Sequence, residues 1–340
     1  MFHPNNQHHG GGPQPIKPVN SPLYVVTCIS NPKRYRSRYD LYRRFEKYVK
    51  DSGAILITIE QAFGDREFEI TDPSNPCHVQ ITSTSEIWHK ENMINLAIQR
   101  LPNDWNYVAW IDADIEFVRQ DWVYETIHLL QHYDVIQMFS QAADLDPRFQ
   151  VLNGIREGVI AAWIKENRGS VVKVSHGTTG DYGSGWGHGA GNRHPGYAWA
   201  ARRDALNKLG GLIDWAVVGS ADWHMASALV GQLDASISPA IVKACPTYVK
   251  MCKEWEDRAI KHIKFNVGYM DGLVVHFWHG KKTDRKYADR WRILVDNRFD
   301  PALDLKKDWH GQWQLTDRNH KLRDDLRAYL AGRNEDSIDL

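Results

Sequence analysis

Along the first half of the chain, short continuous apolar runs alternate with longer segments whose apolar residues recur at helical spacing. Short apolar runs rich in Val, Ile and Trp predict buried strands at residues 23–29, 54–59, 108–111 and 135–139. Apolar residues at helical spacing predict helices between them, at residues 38–50, 85–101 and 121–133. Strands that alternate with helices indicate an α/β fold with a mostly parallel, Rossmann-like central sheet flanked by helices. Ligands of such sheets bind beyond the carboxyl ends of the strands.

The second half of the chain is less regular. Its glycine-rich segment 180–196 predicts a mobile loop, with Trp186 near the middle. Short helices are expected at residues 204–209 and after Asp222, and a last strand at residues 274–278. We predict a disordered tail (1–20), one domain (21–310) with halves of about 21–150 and 151–310, and a helical C-terminal extension (311–340).

Composition narrows the classes of function. The 42 basic and 42 acidic residues give a net charge of zero, which argues against bulk electrostatic binding of nucleic acid but not against a local basic groove. The 4 cysteines match no zinc or redox spacing, which favours free thiols in a reducing compartment. No apolar stretch has the length of a membrane span, so we expect a cytoplasmic protein with no membrane partner.

Two carboxylates follow the third predicted strand. Asp112 and Asp114 stand two residues apart, so in an extended chain they point to the same face. Oxygen ligands at the mouth of a sheet suit Mn²⁺ or Mg²⁺ bridging a diphosphate, although the same pattern also occurs in plain turns. His276 and His279 end the last strand, and either could add an imidazole ligand. In a regular strand they would face opposite sides, so at least one is expected to be packed or hydrogen-bonded instead.

Several polar residues are candidates for binding a nucleotide donor. Ser30 and Glu60 lie at predicted strand ends, and Arg38 belongs to a cation-rich segment after the first strand. Lys90, near a helix start, and Lys281, after the histidines, could bind phosphates. A solvated basic surface is the alternative interpretation of these charges.

Asp222 is the candidate catalytic base. A sugar transfer that inverts the anomeric carbon needs a carboxylate to take the proton from the attacking hydroxyl. Asp222 could equally cap the helix that follows it, and the two roles are compatible. Trp186, Trp199 and His194 are expected on the acceptor and lid side of the site, with the loop closing over the donor.

Taken in order, these motifs resemble the GT-A glycosyltransferases, and the second half is similar to the β-1,4-galactosyltransferase branch. The resemblance runs roughly from residue 23 to residue 294. The segments that carry it are Arg36-Ser37-Arg38, Asp112-Ala113-Asp114, Asn207-Lys208-Leu209-Gly210-Gly211, Gly219-Ser220-Ala221-Asp222, His279-Gly280-Lys281-Lys282 and Tyr287-Ala288-Asp289-Arg290.

The resemblance implies a GT-A fold with an irregular acceptor-side half and a metal-dependent, inverting glycosyltransferase. Its donor would be a nucleotide-sugar, a UDP-sugar by preference, and its acceptor a saccharide or a hydroxymethylated base in phage DNA. The family's acidic cluster is reduced here to Asp222, which leaves the acceptor open. A metal-dependent nucleotidyltransferase and a catalytically inactive carbohydrate-binding scaffold are the rival functions.

Overall fold

The computed structural model describes residues 21–167, 193–287 and 289–339 of the chain. The described strands are β1 (Leu23–Ser30), β2 (Ile55–Phe63), β3 (His78–Ser83), β4 (Tyr107–Ile111), β5 (Ile115–Phe117), β6 (Val135–Gln137), β7 (Gln141–Leu145), β8 (Val151–Gly158), β9 (Arg193–His194), β10 (Ala198–Arg202), β11 (Val267–Tyr269), β12 (Leu273–His276), β13 (Leu305–Lys307) and β14 (Trp313–Leu315). The described α-helices are α1 (Arg36–Asp51), α2 (Lys90–Ile98), α3 (Trp122–Leu129), α4 (Val159–Glu166), α5 (Arg203–Leu209), α6 (Ala221–Leu229), α7 (Pro239–Ala244), α8 (Pro246–His262), α9 (Arg290–Asp296), α10 (Pro301–Asp304) and α11 (His320–Ala331).

The central sheet has the order β11-β6-β10-β4-β1-β2-β3. Only β10 runs antiparallel to its described neighbours, β4 and β6. Val26 of β1 pairs in register with Ile57 on one side and Trp110 on the other. Because both faces of β1 are covered, its apolar residues are buried without alternation, as the unbroken hydrophobic run predicted. The mixed α/β architecture with a mostly parallel central sheet is therefore confirmed.

A second sheet, of order β5-β12-β7-β8-β9, begins directly after the two aspartates. Strand β4 ends at Ile111 and β5 starts at Ile115, so the segment 112–114 links the two sheets. Strand β12 pairs antiparallel with β5 and parallel with β7. This register places His276 beside Ile115 on one side and Asp144 on the other. The last predicted strand is thus brought to the aspartates by strand pairing.

Several predicted boundaries were wrong. The helix expected from residue 85 begins at Lys90, which leaves the preceding residues free to line a cavity. Strand β2 continues to Phe63, so Glu60 lies inside the strand and not at its end. The strands that were not predicted are β3, β5, β7, β8, β9, β10, β11, β13 and β14. Strand β10 consists largely of alanine, which has low strand propensity, and pairing with its two neighbours stabilises it.

Helix α8 is the longest described helix and was also not predicted. It packs on α5 and α6 and buries Tyr248, Cys252 and Trp255 against the central sheet's helical layer. All 4 cysteines of the chain are free thiols. No helix in the described ranges combines the length and the apolar character that crossing a bilayer requires.

Candidate active site

A cleft of about 1150 Å³ lies at the carboxyl ends of β1 and β4. Strand β12 of the second sheet ends in the same cleft. It is lined by most of the side chains that the sequence predicted for a site: Ser30, Arg38, Lys90, Asp112, Asp114, His194, Asp222, His276 and His279. Motifs that are distant in the chain therefore face one space, as expected at this edge of a parallel sheet.

Asp114, His276 and His279 form a compact set of candidate metal ligands. His279 Nε2 lies 3.0 Å from Asp114 Oδ2, and His276 Nε2 lies 3.7 Å from the same oxygen. The two imidazole Nε2 atoms are 3.1 Å apart. Asp114 Oδ1 is buried and has no hydrogen-bond partner among the described residues. Such an orphaned carboxylate oxygen beside two imidazoles fits a divalent cation.

Both histidines reach the same point because the chain bends after β12. The strand ends at His276, the backbone N–H of Phe277 donates to the carbonyl of Asp114 at 2.8 Å, and Gly280 has a φ of +87°. Because the chain is no longer extended after His276, its side chains do not alternate between two faces of a strand, and the two rings are not forced apart. At least one histidine was expected to be packed or hydrogen-bonded; the structure brings both to Asp114 and also places His276 Nδ1 3.0 Å from Asp144 Oδ1.

Asp144 orients His276. Its Oδ1 lies 3.0 Å from His276 Nδ1 and accepts a hydrogen bond of 2.6 Å from the Tyr197 hydroxyl. Arg156 and Lys282 form ion pairs with its other oxygen. Burial alone would raise the pKa of Asp144, but His276 and these two cations hold it well below its usual range. A fixed carboxylate behind a ligating imidazole sets its orientation and keeps Nε2 directed at the site.

Glu335, from the C-terminal segment, lies behind His279. The side chain is 1% exposed, and its Oε2 is 3.6 Å from His279 Nδ1. It also forms ion pairs with Arg38 of α1 and with Arg333. Burial opposes ionisation of Glu335, yet Arg38 and Arg333 hold its pKa well below the usual range. Sequence reasoning missed this residue, which lies in the predicted C-terminal extension (311–340) and belongs to no motif.

Asp112 pairs with Lys90 and lies outside the three-ligand set. Lys90 is the first residue of α2, and its ammonium forms an ion pair with Asp112 Oδ1. Burial would lower the pKa of Lys90, but Asp112 leads the nearby carboxylates that raise it, so the lysine is fully charged. The N–H of Asp112 donates to the carbonyl of Tyr197 at 2.8 Å. The first aspartate therefore fixes a cation beside the cluster, at a helix N-terminus.

Not every predicted donor residue reaches the cleft. Ser30 and Arg38 line it, and the Ser30 hydroxyl donates to Gln61 Oε1 at 2.6 Å. The carboxylate of Glu60 is instead used inside the fold, where it accepts hydrogen bonds from backbone N–H groups of residues 69–71. Lys281 does not line the cleft, whereas the neighbouring Lys282 does.

Asp222 lies in the first turn of α6 and faces the cleft. Ser220 occupies the N-cap position in a left-handed conformation with a φ of 72°, so Asp222 is not the cap. Asp222 Oδ1 accepts the N–H of Trp223 at 2.9 Å. Its Oδ2 lies against Gly196, where an added Cβ would be only 2.5 Å away. One carboxylate oxygen is therefore anchored, and the other is held at a tightly packed glycine.

The acceptor-side predictions have mixed outcomes. His194 lines the cleft and stacks on Tyr197, with 3.7 Å between ring centroids. Trp199 is 4% exposed in β10, donates from Nε1 to the carbonyl of Pro195 and does not line the cleft. It packs in the core because alternate residues of β10 face the layer of helices. Trp186 and most of the loop 180–196 lie outside the described residues.

No protein-family model matches the chain, and no curated protein sequence matches it. Several solved structures are similar in fold at low sequence identity. One is a Drosophila β-1,4-galactosyltransferase 7 mutant in complex with manganese, UDP-Gal and xylobiose, with 11% identity and a TM-score of 0.29 over 64% of this chain and 63% of that one.

Two bacterial proteins show a comparable similarity. A proposed nucleotide-diphospho-sugar transferase from Desulfovibrio desulfuricans G20 has 12% identity and a TM-score of 0.32, over 94% of this chain and 100% of that one. Glucosyl-3-phosphoglycerate synthase from Mycobacterium tuberculosis, in complex with Mn²⁺, UDP and phosphoglyceric acid, has 10% identity and a TM-score of 0.36, over 82% and 78%. At these values the likeness is one of fold at most.

Proposed function

We propose that the protein is a metal-dependent, inverting glycosyltransferase that moves a sugar from a UDP-sugar to an acceptor hydroxyl. The observation that carries the proposal is the convergence of Asp114, His276 and His279 in the cleft that also holds Lys90 and Asp222. A divalent-cation site, a cation for phosphates and a free carboxylate are the groups that this transfer needs.

Mn²⁺ is the ion we propose for the three ligands. Imidazole suits transition ions better than it suits Mg²⁺, and the set contains two imidazoles and one carboxylate. An ion bound there would neutralise the negative charge that develops on the departing diphosphate. Asp144, 3.0 Å from the outer nitrogen of His276, would orient that ring, and the charge of Glu335, 3.6 Å from the outer nitrogen of His279, would favour the same arrangement for the other.

Lys90, Ser30 and Arg38 are proposed to bind the nucleotide part of the donor. Lys90 stands at the N-terminus of α2, where the helix dipole adds to its charge and favours phosphate oxygens. Ser30 is the last residue of β1 and Arg38 lies near the start of α1, and both line the cleft. Asp112 would keep Lys90 in place, since the two side chains are paired.

Asp222 is proposed to act as the general base. Its Oδ2 would take the proton of the acceptor hydroxyl while that oxygen bonds to the anomeric carbon and the bond to the diphosphate oxygen breaks. Attack from the face opposite the leaving group inverts the anomeric configuration. The hydrogen bond from Trp223 N–H holds Oδ1, so the carboxylate is positioned without being neutralised.

The acceptor is proposed to be a saccharide or a modified base in DNA, and salt dependence separates the two. A DNA acceptor would make activity fall steeply with added salt, because phosphate contacts release counterions. Calorimetry tests the two rival functions. A nucleotidyltransferase would bind a nucleoside triphosphate in preference to UDP, and an inactive carbohydrate-binding scaffold would bind no nucleotide.

The decisive experiment compares two variants in one donor-binding assay and one transfer assay. Asp114→Ala should abolish the Mn²⁺ dependence of UDP binding, because a direct ligand is lost. Asp222→Asn should keep that binding and slow transfer roughly 100- to 10,000-fold, the usual effect of removing a general base. Unchanged UDP affinity in Asp114→Ala would contradict the metal site, and an unchanged rate in Asp222→Asn would place the base elsewhere.

A further inference from the structure

Two buried arginines in the cleft wall have no ion-pair partner among the described residues. Arg285 and Arg290 are each 6% exposed, and no described carboxylate lies within 4.0 Å of either guanidinium. The Nε of each is also buried without a hydrogen-bond partner in the described part of the chain. By contrast, the nearby Arg333 is neutralised by Glu335. A buried, uncompensated charge is unfavourable, so each such guanidinium indicates a place where an anion binds.

The two arginines face different parts of the cleft. Arg285 Nη2 lies 3.0 Å from His279 Nε2, so its guanidinium adjoins the proposed metal and diphosphate position. Arg290, at the start of α9, donates from Nη2 to the hydroxyl of Ser220, two residues before Asp222. Arg285 therefore lies where the donor's diphosphate would bind. Arg290 lies on the side of the proposed base, away from that position, so it is available to a different anion.

Arg290 has the donors and the support needed to bind an anion. It uses one N–H on Ser220 and another on the Tyr329 hydroxyl at 3.4 Å, which leaves Nε and further Nη donors of its five N–H groups. Gly219 lets the backbone approach, since a Cβ there would lie 3.2 Å from Nη1. A planar guanidinium held in this way matches the two oxygens of a phosphate or carboxylate.

Local electrostatics agree with a positively charged wall. The Tyr287 side chain is 43% exposed; desolvation of its hydroxyl acts to raise the pKa, but Arg285, Arg333 and Arg290 together lower it to about 8. The Tyr287 ring centroid lies 4.9 Å from the guanidinium carbon of Arg290. The positive charges of this wall thus exceed what the carboxylates of the described residues neutralise.

We propose that the acceptor carries a compact anionic group, a phosphate monoester or a carboxylate, which binds Arg290 while the acceptor hydroxyl reaches Asp222. This inference rests on the proposed function and narrows its acceptor. The depth of Arg290 favours a small molecule, because a phosphodiester inside a DNA backbone cannot bring its oxygens to a guanidinium that is 6% exposed without distortion.

The test titrates inorganic phosphate by calorimetry into the protein, both alone and saturated with UDP and Mn²⁺. In the saturated protein UDP and Mn²⁺ fill the donor position, so any phosphate that still binds measures the proposed anion site at Arg290. Arg290→Gln should weaken this binding roughly 10- to 100-fold, the effect of losing charged hydrogen bonds. Arg292→Gln, which removes an exposed arginine of α9 that does not line the cleft, is the matched control and should leave this binding unchanged. Arg290→Lys should keep part of the binding. Thermal melting checks that each variant is folded.

Each outcome decides the inference. Equal phosphate affinity in the parent and Arg290→Gln, or no phosphate binding to the parent, would overturn it. Displacement of phosphate by a DNA duplex at stoichiometric concentration would replace the small acceptor with nucleic acid. If the protein fails to bind UDP and Mn²⁺, the proposed function fails, whereas the titration of the protein alone still shows whether Arg290 holds an anion.

Discussion

Gly196 packs against the proposed base, and we predict that Gly196→Ala slows sugar transfer by displacing Asp222. A Cβ at this position would lie 2.5 Å from Asp222 Oδ2 and 3.3 Å from His194 Cε1. Van der Waals contact requires roughly 3.5 Å, so the carboxylate must move by about 1 Å. The backbone should tolerate alanine, since Gly196 is not among the described residues with positive φ.

The expected loss follows from this displacement. A reacting group misplaced by about 1 Å can lose roughly 100-fold in rate. Because only the end of one side chain has to move, stability should change by about 1 kcal/mol or less. UDP affinity in the presence of Mn²⁺ should not change, since none of the proposed metal ligands is among the nearest neighbours of a Cβ at Gly196. Steady-state transfer kinetics, UDP calorimetry and urea unfolding measure these three quantities.

A double-mutant cycle tests the cause of the loss. If Gly196→Ala acts through Asp222, adding it to Asp222→Asn should slow transfer little further. Gly332→Ala is a control for an added methyl group, because its nearest contact would be a milder 3.3 Å to a backbone carbonyl. Losses that multiply in the double mutant, or a parental rate in Gly196→Ala, would refute this positioning of the base.

Two further predictions concern a buried histidine and the C-terminal segment. Burial lowers the pKa of His224 to about 3, so the native protein binds fewer protons than the unfolded chain and loses stability as pH falls below about 6.5. At pH 5 this loss is about 2 kcal/mol. The free energy of unfolding in urea should therefore fall between pH 7.5 and pH 5 by about 2 kcal/mol less in His224→Gln than in the parent. The same fall in both proteins would contradict the prediction. Glu335→Gln should weaken Mn²⁺-dependent UDP binding roughly 10- to 100-fold, because His279 loses its carboxylate partner. The exposed Asp339→Asn is the control, and equal affinities would show that Glu335 serves only the fold.

The parts of the fold predicted from sequence are those with strong local patterns. Strands β1 and β4 are unbroken apolar runs, and α1 has a clear apolar face, so their positions were confirmed within a few residues. Strand β10 could not be predicted, because alanine carries little local preference and its antiparallel pairing is set by β4 and β6.

The location of Asp112 and Asp114 at the cleft was predictable, because they follow directly on an unbroken apolar strand. Their different surroundings were not, because Lys90 reaches Asp112 from α2, which is distant in the chain. Asp144 and Glu335 carry no recognisable pattern of their own. Their positions behind the histidines follow from strand pairing and from the path of the C-terminal segment, which are long-range properties of the fold.

The origin of the three proposed metal ligands has a consequence for folding. Asp114 comes from the link between the sheets, whereas His276 ends β12 and His279 follows it, far along the chain. Their meeting requires β5 and β12 to pair, and contacts that close long loops form slowly. An ion held by this set would therefore bind only the assembled protein and not guide the early steps. A bound ion would instead slow unfolding, and the folded protein would persist for longer.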